Sequence, residues 1–181
     1  LSNDEGVRAG TTAESLAGLR PVFDKNGAVT AGNASTLNDG ASAVLIAEAE
    51  FAKAQGWEVL ATIEDYCTSG VEPARVMSAP IPAVKMLLER NELDVLDVDV
   101  YEHNEAFASA SCAVAQEIGI PDDRFNLHGG AVSLGHPLGA SGTRCLITML
   151  GVMRRLEANS GIVTLCLGGG NAVAMYVRRP S

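Results

Sequence analysis

The stretch Val132–Gly142, VSLGHPLGASG, sets one histidine between glycines, follows it with a proline and leads into a long helical pattern. Glycine permits backbone conformations and close approach that other residues resist, and proline fixes φ and removes a donor. His136 is the only strongly reactive side chain in this loop. The pattern therefore predicts a rigid loop that holds an imidazole in place ahead of a helix over Ser141–Leu156.

The segments around this loop alternate between strand-like and helix-like patterns. From Glu58 onward the predicted order is β-α-β-α-β-α-β-β, which indicates an α/β fold with a mixed sheet covered by helices. Predicted strands are Ala41–Ala47, Glu58–Cys67, Val98–His103, Arg124–Leu127, Ile162–Leu167 and Val173–Val177. Predicted helices are Glu48–Gln55, Ile81–Arg90, Glu105–Ile118 and Ser141–Leu156, with one short helix expected in the first 25 residues.

The composition is typical of a globular chain. Of its 181 residues, 47% are hydrophobic and 19% charged, which suits one domain, or one domain and part of another. The formal net charge of −9 argues against nucleic acid or an anionic membrane surface as a partner. The net charge does not exclude a phosphate-bearing ligand, because binding a phosphate needs only a local basic patch or a helix N-terminus.

The four cysteines, Cys67, Cys112, Cys145 and Cys166, have no paired short spacing, so neither a disulfide framework nor a zinc site is predicted. We expect a reducing, cytoplasmic setting, with mitochondria or peroxisomes as alternatives. No apolar run of about 20 residues predicts a membrane span. Because the sequence opens with Leu1 and not methionine, we expect it to begin inside a longer product.

Polar side chains follow three of the predicted strands. Asn104 and His136 come after the strands that precede them, and Cys166 lies at the end of its own. Ligands in open α/β sheets bind beyond the carboxyl ends of strands, so the three side chains can converge on one pocket. Plainer interpretations are a helix N-cap for Asn104, a solvent-facing loop residue for His136 and a small buried hydrophobe for Cys166. His103 and His128 are interpreted as structural.

Four longer motifs carry a resemblance. They are VTAGNASTLNDGAS at Val29–Ser42, NEAFA at Asn104–Ala108, GGAVSLGHPLGASG at Gly129–Gly142 and CLGGG at Cys166–Gly170. Together, in this order, they resemble the C-terminal half of the thiolase family, which comprises acetyl-CoA acetyltransferases and 3-ketoacyl-CoA thiolases. The resemblance covers nearly the whole chain, from about Thr11 to Arg178.

The resemblance implies a thiolase-type layered fold in two parts. Residues 1–56 correspond to the tail of the loop domain with the last strand and helix of the N-terminal domain, and residues 57–181 to the C-terminal domain. The implied activity condenses two acetyl-CoA to acetoacetyl-CoA and CoA, or cleaves 3-ketoacyl-CoA with free CoA. No covalently bound cofactor and no metal are implied, since the coenzyme A thioester is itself the substrate. Dimers or tetramers are usual in the family.

The resemblance also implies roles for single residues. His136 resembles the base that activates a nucleophilic cysteine of the N-terminal half and contributes to the oxyanion hole for the thioester oxygen. Asn104 would hold a water that donates the second hydrogen bond in this hole. Cys166 would remove the α-proton of acetyl-CoA, or return a proton in thiolysis, as a thiolate in an environment that lowers its pKa. The backbone N–H of Gly168 would help form the other oxyanion hole.

The coenzyme A arm is expected to contact three positions of this sequence. These are Phe23, Ser35 and Phe107, which match the family's contact positions. His128 and His103 depart from the commoner asparagine and apolar residue of the family pattern, and neither departure removes a catalytic group.

The nucleophile loop of the family has no counterpart in this sequence, and a full thiolase is about twice as long. Cys67, Cys112 and Cys145 sit in the wrong contexts to replace the missing cysteine. We therefore expect a fragment, a truncated form or one subunit of a split enzyme, partnered by an N-terminal half. Alone, it is expected neither to form an acyl-enzyme nor to turn over.

Three other functions compete with this interpretation. A catalytically silent half-thiolase could serve as a binding or dimerisation module. A related condensing enzyme, such as a ketoacyl or hydroxymethylglutaryl synthase, uses histidine pairs or a Glu–His arrangement, so Cys166 counts against it. A metal site built from the three histidines and four cysteines lacks ligand spacing.

Overall fold

The computed structural model describes residues 2–180, so Leu1 and Ser181, the outer bounds of the two predicted parts, lie outside the described residues. The helices are α1 (Ala13–Ala17), α2 (Ala49–Ala54), α3 (Pro80–Arg90), α4 (Ala108–Ile118), α5 (Ala131–Leu134) and α6 (Ser141–Leu156). The strands are β1 (Thr62–Gly70), β2 (Val100–His103), β3 (Ser160–Leu167) and β4 (Asn171–Arg178). Short 3-10 turns span Pro73–Ser78, Val95–Asp97 and Asp122–Arg124.

The strands form one mixed sheet in the order β1-β4-β3-β2. β2 runs parallel to β3, with Val100 opposite Gly161 and His103 opposite Thr164. β3 and β4 are antiparallel and joined by the glycine triplet, and β1 pairs antiparallel with the far edge of β4. The parallel pair places the carboxyl ends of β2 and β3 side by side, although the paired residues are 61 positions apart in the chain.

Helices cover both faces of this sheet. On one face, α3 and α4 pack on a core that includes Leu87, Tyr101 and Ile162. On the other face, α6 packs on β2 and β3 through a core that includes Met149 and Val163. Because successive strand residues point to opposite faces, neighbours such as Ile162 and Val163 enter different cores. The α/β class expected from the alternating pattern is thus the architecture observed.

The predicted strand Ala41–Ala47 is wrong. This segment has no sheet pairing, and Val44, Leu45 and Ile46 expose 39%, 78% and 68% of their surface. A strand needs a neighbour that accepts its backbone hydrogen bonds, and within residues 2–180 none lies beside it. Its apolar side chains are consequently left facing outward.

Two further boundaries differ from the sequence predictions. The predicted strand Arg124–Leu127 is wrong, because only a single bridge joins Phe125 to Tyr101 and Asn126 turns the chain with a φ of 47°. The helix predicted from Glu105 begins at Ala108, since Glu105 itself has a φ of 55°. Both residues are polar and use the left-handed region to end regular pairing.

No helix within residues 2–180 is long and apolar enough to span a bilayer.

His103 is the most deeply buried imidazole and lies at the end of β2. It is 1% exposed, stacks on Phe125, and its Nδ1 lies 2.7 Å from Oγ of Ser111. Burial lowers its pKa to about 4, because the charged form would lose its hydration. The neutral ring is therefore part of the core.

Acidification should destabilise the fold through His103. The folded state binds a proton there less readily than the unfolded state, so this contribution is complete above pH 6.5 and is lost as the pH falls toward 4. About 1.4 kcal/mol per pH unit gives a loss of about 2 kcal/mol between pH 6.5 and 5. His103→Asn, which cannot titrate, should remove that slope in urea unfolding at a series of pH values, whereas His128→Asn on the surface should retain it. Identical slopes in all three proteins would contradict this account.

Candidate active site

The carboxyl end of β2 delivers Asn104 to the centre of the candidate site. Its backbone N–H donates to the carbonyl of Thr164 in β3, with an N···O distance of 3.2 Å, and its side chain is buried. The next turn of chain is reversed by Glu105, whose positive φ ends the strand. The carboxamide is thus fixed by the sheet and not by a flexible loop.

The glycine-flanked loop holds His136 over this carboxamide. The loop follows the short helix α5, and Gly135 takes a φ of 88° that side chains resist. A Cβ on Gly135 would lie 2.4 Å from Oδ1 of Asn38. The backbone N–H of His136 donates to the carbonyl of Thr36 over 2.9 Å and lies 3.3 Å from the same Asn38 oxygen. The loop is therefore pinned by a segment almost a hundred residues earlier.

The imidazole and the carboxamide are in direct contact. Nδ2 of Asn104 lies 3.2 Å from Nε2 of His136, and Nδ1 of His136 lies 2.6 Å from Oγ of Ser141 at the start of α6. Burial, and then the positive charge of Arg144, lower the pKa of His136. The ring is consequently neutral near pH 7, which is the form a general base requires.

Arg144 joins this pair to a buried carboxyl group. Its guanidinium reaches Oδ1 of Asn104 at 3.0 Å and Oε1 of Glu102 at 3.2 Å. Glu102 is fully buried, and burial raises its pKa to about 8 against the opposing effect of Arg144. Oε2 of Glu102 and Nε of Arg144 have no partner among the described residues.

Cys166 lies at the same end of the sheet, where its thiol contacts a methionine. It is two residues beyond Thr164, and its Sγ lies 4.0 Å from Sδ of Met77 in the 3-10 turn Pro73–Ser78. No hydrogen bond within residues 2–180 joins Cys166 to Asn104 or His136. Burial raises its pKa, contrary to the expected lowering, because the thiolate would be poorly hydrated there. An apolar groove lined by Met77 and Ala110 runs beside this turn.

The glycine triplet after Cys166 forms the tight turn into β4. Gly169 and Gly170 have φ values of 82° and 91°, and a Cβ on Gly170 would lie 2.3 Å from the carbonyl oxygen of Val71. Gly168 is exposed, so its backbone faces open space beside the strand ends. The triplet thereby leaves bare backbone next to Cys166.

The three predicted coenzyme A contacts lie together on one side of the site. The rings of Phe23 and Phe107 meet edge to face with centroids 6.0 Å apart, and the backbone N–H of Ser35 donates to the carbonyl of Ala106 over 3.0 Å. Phe23 is 75% exposed, so this aromatic pair is open to a ligand.

Several residues that organise the site were missed by sequence reasoning. They are Asn38, Glu102, Glu105, Ser141 and Arg144. Burial raises the pKa of Glu105, partly offset by hydrogen bonds from the backbone N–H groups of Val132 and Gly130. One available signal was the carboxylate of Glu102 inside a buried strand, and another was an arginine in the first turn of α6, ahead of a largely apolar stretch. The prediction that His136 comes after a strand at Phe125 is also wrong, because Phe125 forms only a single bridge and α5 lies between it and His136.

Metal coordination finds no support in the geometry. Across the part of the chain that the structure describes, no three His, Cys, Asp or Glu side chains are grouped closely enough to hold an ion.

Two family models match this chain. Residues 57–179 match the thiolase C-terminal domain, and residues 1–50 match the thiolase N-terminal domain. Acetyl-CoA acetyltransferase of Pseudomonas aeruginosa is 51% identical over 179 residues, covering 99% of this chain and 46% of the relative. The Escherichia coli acetyl-CoA acetyltransferase is 47% identical, with 99% and 45% covered. The chain thus spans less than half the length of these relatives.

Solved structures of proteins with these names are also similar to this chain. The Bacillus anthracis acetyl-CoA acetyltransferase superposes with a TM-score of 0.93 at 41% identity, covering 98% of this chain and 45% of the other. Human mitochondrial 3-ketoacyl-CoA thiolase in complex with CoA superposes with a TM-score of 0.89 at 38% identity, with the same coverage.

Gly135→Ala should disturb both the fold and the imidazole. The alanine would be strained at a φ of 88° and would collide with Asn38, costing about 1–3 kcal/mol of unfolding free energy. Gly139→Ala in the same loop has no heavy atom within 4 Å of the added Cβ and should cost less than about 0.5 kcal/mol. Chemical denaturation of both variants measures the difference. Equal stability of the two would show that the loop is not held as described.

Proposed function

This chain belongs to the thiolase family, and from that premise we propose that it is the C-terminal half of an enzyme that transfers acyl groups between coenzyme A thioesters. The proposed reaction is condensation of two acetyl-CoA to acetoacetyl-CoA and CoA, or the reverse cleavage of a 3-ketoacyl-CoA. The contact between Asn104 and His136, 3.2 Å apart at the end of β2, is the observation that carries the proposal. The names of the similar proteins support the substrate class.

His136 is proposed to act first as a base. Its neutral imidazole takes the proton of a nucleophilic cysteine supplied by the N-terminal half, and the thiolate then attacks the thioester carbonyl. The protonated Nε2–H and a water held by Asn104 would then donate to the oxygen on which negative charge develops. The carbon–sulfur bond to coenzyme A breaks, and coenzyme A leaves as a thiol with the proton that His136 had taken. A half-buried position near the charge of Arg144 supports this role, because burial and that charge both lower the pKa of the ring.

Cys166 is proposed to handle the proton at the α-carbon. In synthesis it removes that proton from acetyl-CoA, and the resulting enolate attacks the acyl-enzyme carbonyl, forming the carbon–carbon bond and releasing the nucleophilic thiolate. In thiolysis Cys166 returns the proton. Burial raises its pKa, which suits a proton donor in thiolysis. The backbone N–H of Gly168 is proposed to stabilise the enolate oxygen.

Coenzyme A is proposed to lie along Phe23, Ser35 and Phe107. An exposed aromatic pair offers apolar surface to the pantetheine arm, and the thioester is the substrate with no further cofactor. The free thiols within the described residues support a reducing, cytoplasmic setting.

An N-terminal half, in the same chain or a separate one, is the proposed partner. We propose the division at residues 1–56 and 57–181, with the first part completing the N-terminal domain, and a dimer or tetramer for the complete protein. Outward-facing Val44, Leu45 and Ile46 support this, since an unpaired apolar strand pattern needs a neighbouring sheet. Tyr66 on edge strand β1 is likewise 70% exposed.

Joining this chain to the preceding part of the Pseudomonas aeruginosa relative provides the test protein, called the joined protein below. His136→Ala and Cys166→Ser should each lower kcat for thiolysis by about 10²–10⁴, the usual contribution of a general acid or base. His128→Ala and Cys112→Ser, which alter exposed side chains of the same types, should leave kcat unchanged. Thiolase activity that survives loss of both His136 and Cys166 would refute the assigned roles.

The 181-residue chain alone should form no acyl-enzyme, because its nucleophile is supplied by the partner half. Incubation with radiolabelled acetyl-CoA should leave it unlabelled, whereas the joined protein should trap a stoichiometric acetyl group. Replacing the N-terminal nucleophilic cysteine in the joined protein by alanine should abolish that label. A stable acetyl adduct on the isolated chain would overturn the proposal, and a joined protein that neither labels nor turns over would favour a silent binding module.

A further inference from the structure

We propose that Arg144 is a positioning residue that, through the Asn104 carboxamide, decides which ring nitrogen of His136 carries the proton. The inference rests on the proposed function for its catalytic meaning, although the hydrogen-bond order itself follows from the side chains alone. Neither Arg144 nor its partner Glu102 belongs to the residues to which a chemical step has been assigned above.

The first step is the direction of the Asn104 amide. A guanidinium carries only donors, so the atom of Asn104 that faces Nη2 of Arg144 at 3.0 Å must be the oxygen. The thiol of Cys145 points at the same oxygen over 3.5 Å. The NH₂ group is consequently turned toward His136, and an amide flip would place two sets of donors against each other.

The second step is the direction of the imidazole. The Asn104 NH₂ is donor-only, so Nε2 of His136, 3.2 Å away, must be the unprotonated acceptor. The ring proton then sits on Nδ1 and is donated to Oγ of Ser141 over 2.6 Å. Ser141 in turn donates to the carbonyl of Pro137 over 3.0 Å. In the chain of hydrogen bonds that begins at Arg144 and ends at the carbonyl of Pro137, each group therefore donates to the next.

Glu102 holds the guanidinium in the place from which it acts. Its Oε1 accepts from Nη1 of Arg144 at 3.2 Å and remains an acceptor whether the carboxyl group is ionised or protonated. A buried carboxyl–guanidinium pair contributes little net stability, because both groups lose hydration. Because Glu102 is fully buried and Arg144 only 17% exposed, we assign the pair a role in fixing geometry.

This order prepares His136 for its first step. Nε2 carries no proton, so its lone pair, which accepts from the Asn104 NH₂ in this structure, can exchange that hydrogen bond for a thiol proton. After that transfer Nε2–H becomes a donor toward the thioester oxygen. One hydrogen of the Asn104 NH₂ faces the ring, which leaves the second to hold the proposed water. The positive charge of Arg144 also lowers the pKa of His136 and so keeps Nε2 unprotonated near neutral pH.

Nitrogen-15 NMR of the 181-residue chain with labelled imidazole rings shows directly which ring nitrogen of His136 carries the proton, and three histidines give few signals. Wild type should show a pyridine-type Nε2 and a pyrrole-type Nδ1 for His136. Arg144→Met combined with Glu102→Gln, which leaves no isolated buried charge, should lose this preference and raise the pKa of His136. Arg144→Lys, still a donor-only cation, should restore it. Arg154→Met in the exposed last turn of α6 is the matched control and should leave both signals unchanged.

Asn104→Asp replaces the hydrogen-bond donor that faces Nε2 of His136 by an acceptor. A carboxylate offers only acceptors to the ring, so the proton should move to Nε2 and the pKa of His136 should rise. A wild-type chain with a protonated Nε2, or a folded Arg144→Met/Glu102→Gln chain with the wild-type pattern, would overturn the proposal.

Kinetics of the joined protein give a second, separate readout. The Arg144→Met/Glu102→Gln variant should lower kcat about 10²-fold while KM for acetyl-CoA changes by less than about twofold, and the acidic limb of its kcat/KM profile should move to higher pH. Equal loss in kcat with an unmoved limb would mark a merely structural role. If the wild-type joined protein is inactive while the NMR pattern holds, the proposed function fails and the polarity inference stands.

Discussion

The contact between the Arg144 guanidinium and the Asn104 oxygen is the constraint on which the site geometry depends. It joins α6 to the end of β2 across the interior, with an N···O distance of 3.0 Å. By fixing the orientation of the carboxamide, it sets which atom donates in the hydrogen bonds between Asn104 and His136 and between His136 and Ser141. A neutral or exchangeable donor in that place would allow the amide to flip, because the two ends of a carboxamide have nearly the same shape. A permanently charged, donor-only group permits one orientation alone.

Two close approaches that depend on glycine seat the loop that carries His136. A Cβ on Gly130 would lie 2.4 Å from Cβ of Glu105, and one on Gly135 would meet Asn38 equally closely. The loop that carries His136 can therefore settle against the start of α4 only where its backbone is bare. A histidine is thus set among glycines for a steric reason at two positions: a side chain at Gly130 would collide with Glu105, and one at Gly135 would collide with Asn38.

Sequence patterns were informative where local rules and tertiary packing agree. The helix Ser141–Leu156 was predicted with the bounds observed, since the glycine loop precedes it and Glu157 turns into the left-handed region at its end. Ala41–Ala47 has an equally clear strand pattern but no partner strand within the described residues, so it forms no strand despite its β propensity. Asn104 and His136 were predicted to meet and do so, whereas the ion pair behind them depends on a contact over 42 positions that no periodicity reveals.

The distribution of groups also explains how a site can be ordered before it is complete. The chain from Glu102 through Arg144, Asn104, His136 and Ser141 closes within residues of this sequence, so the polarity of the imidazole needs nothing from another half. Cys166 differs, because its thiol contacts Sδ of Met77 and has no hydrogen bond to this chain of side chains among the described residues. Preorganisation is therefore unequal: hydrogen bonds between side chains fix Asn104 and His136, whereas packing alone places Cys166.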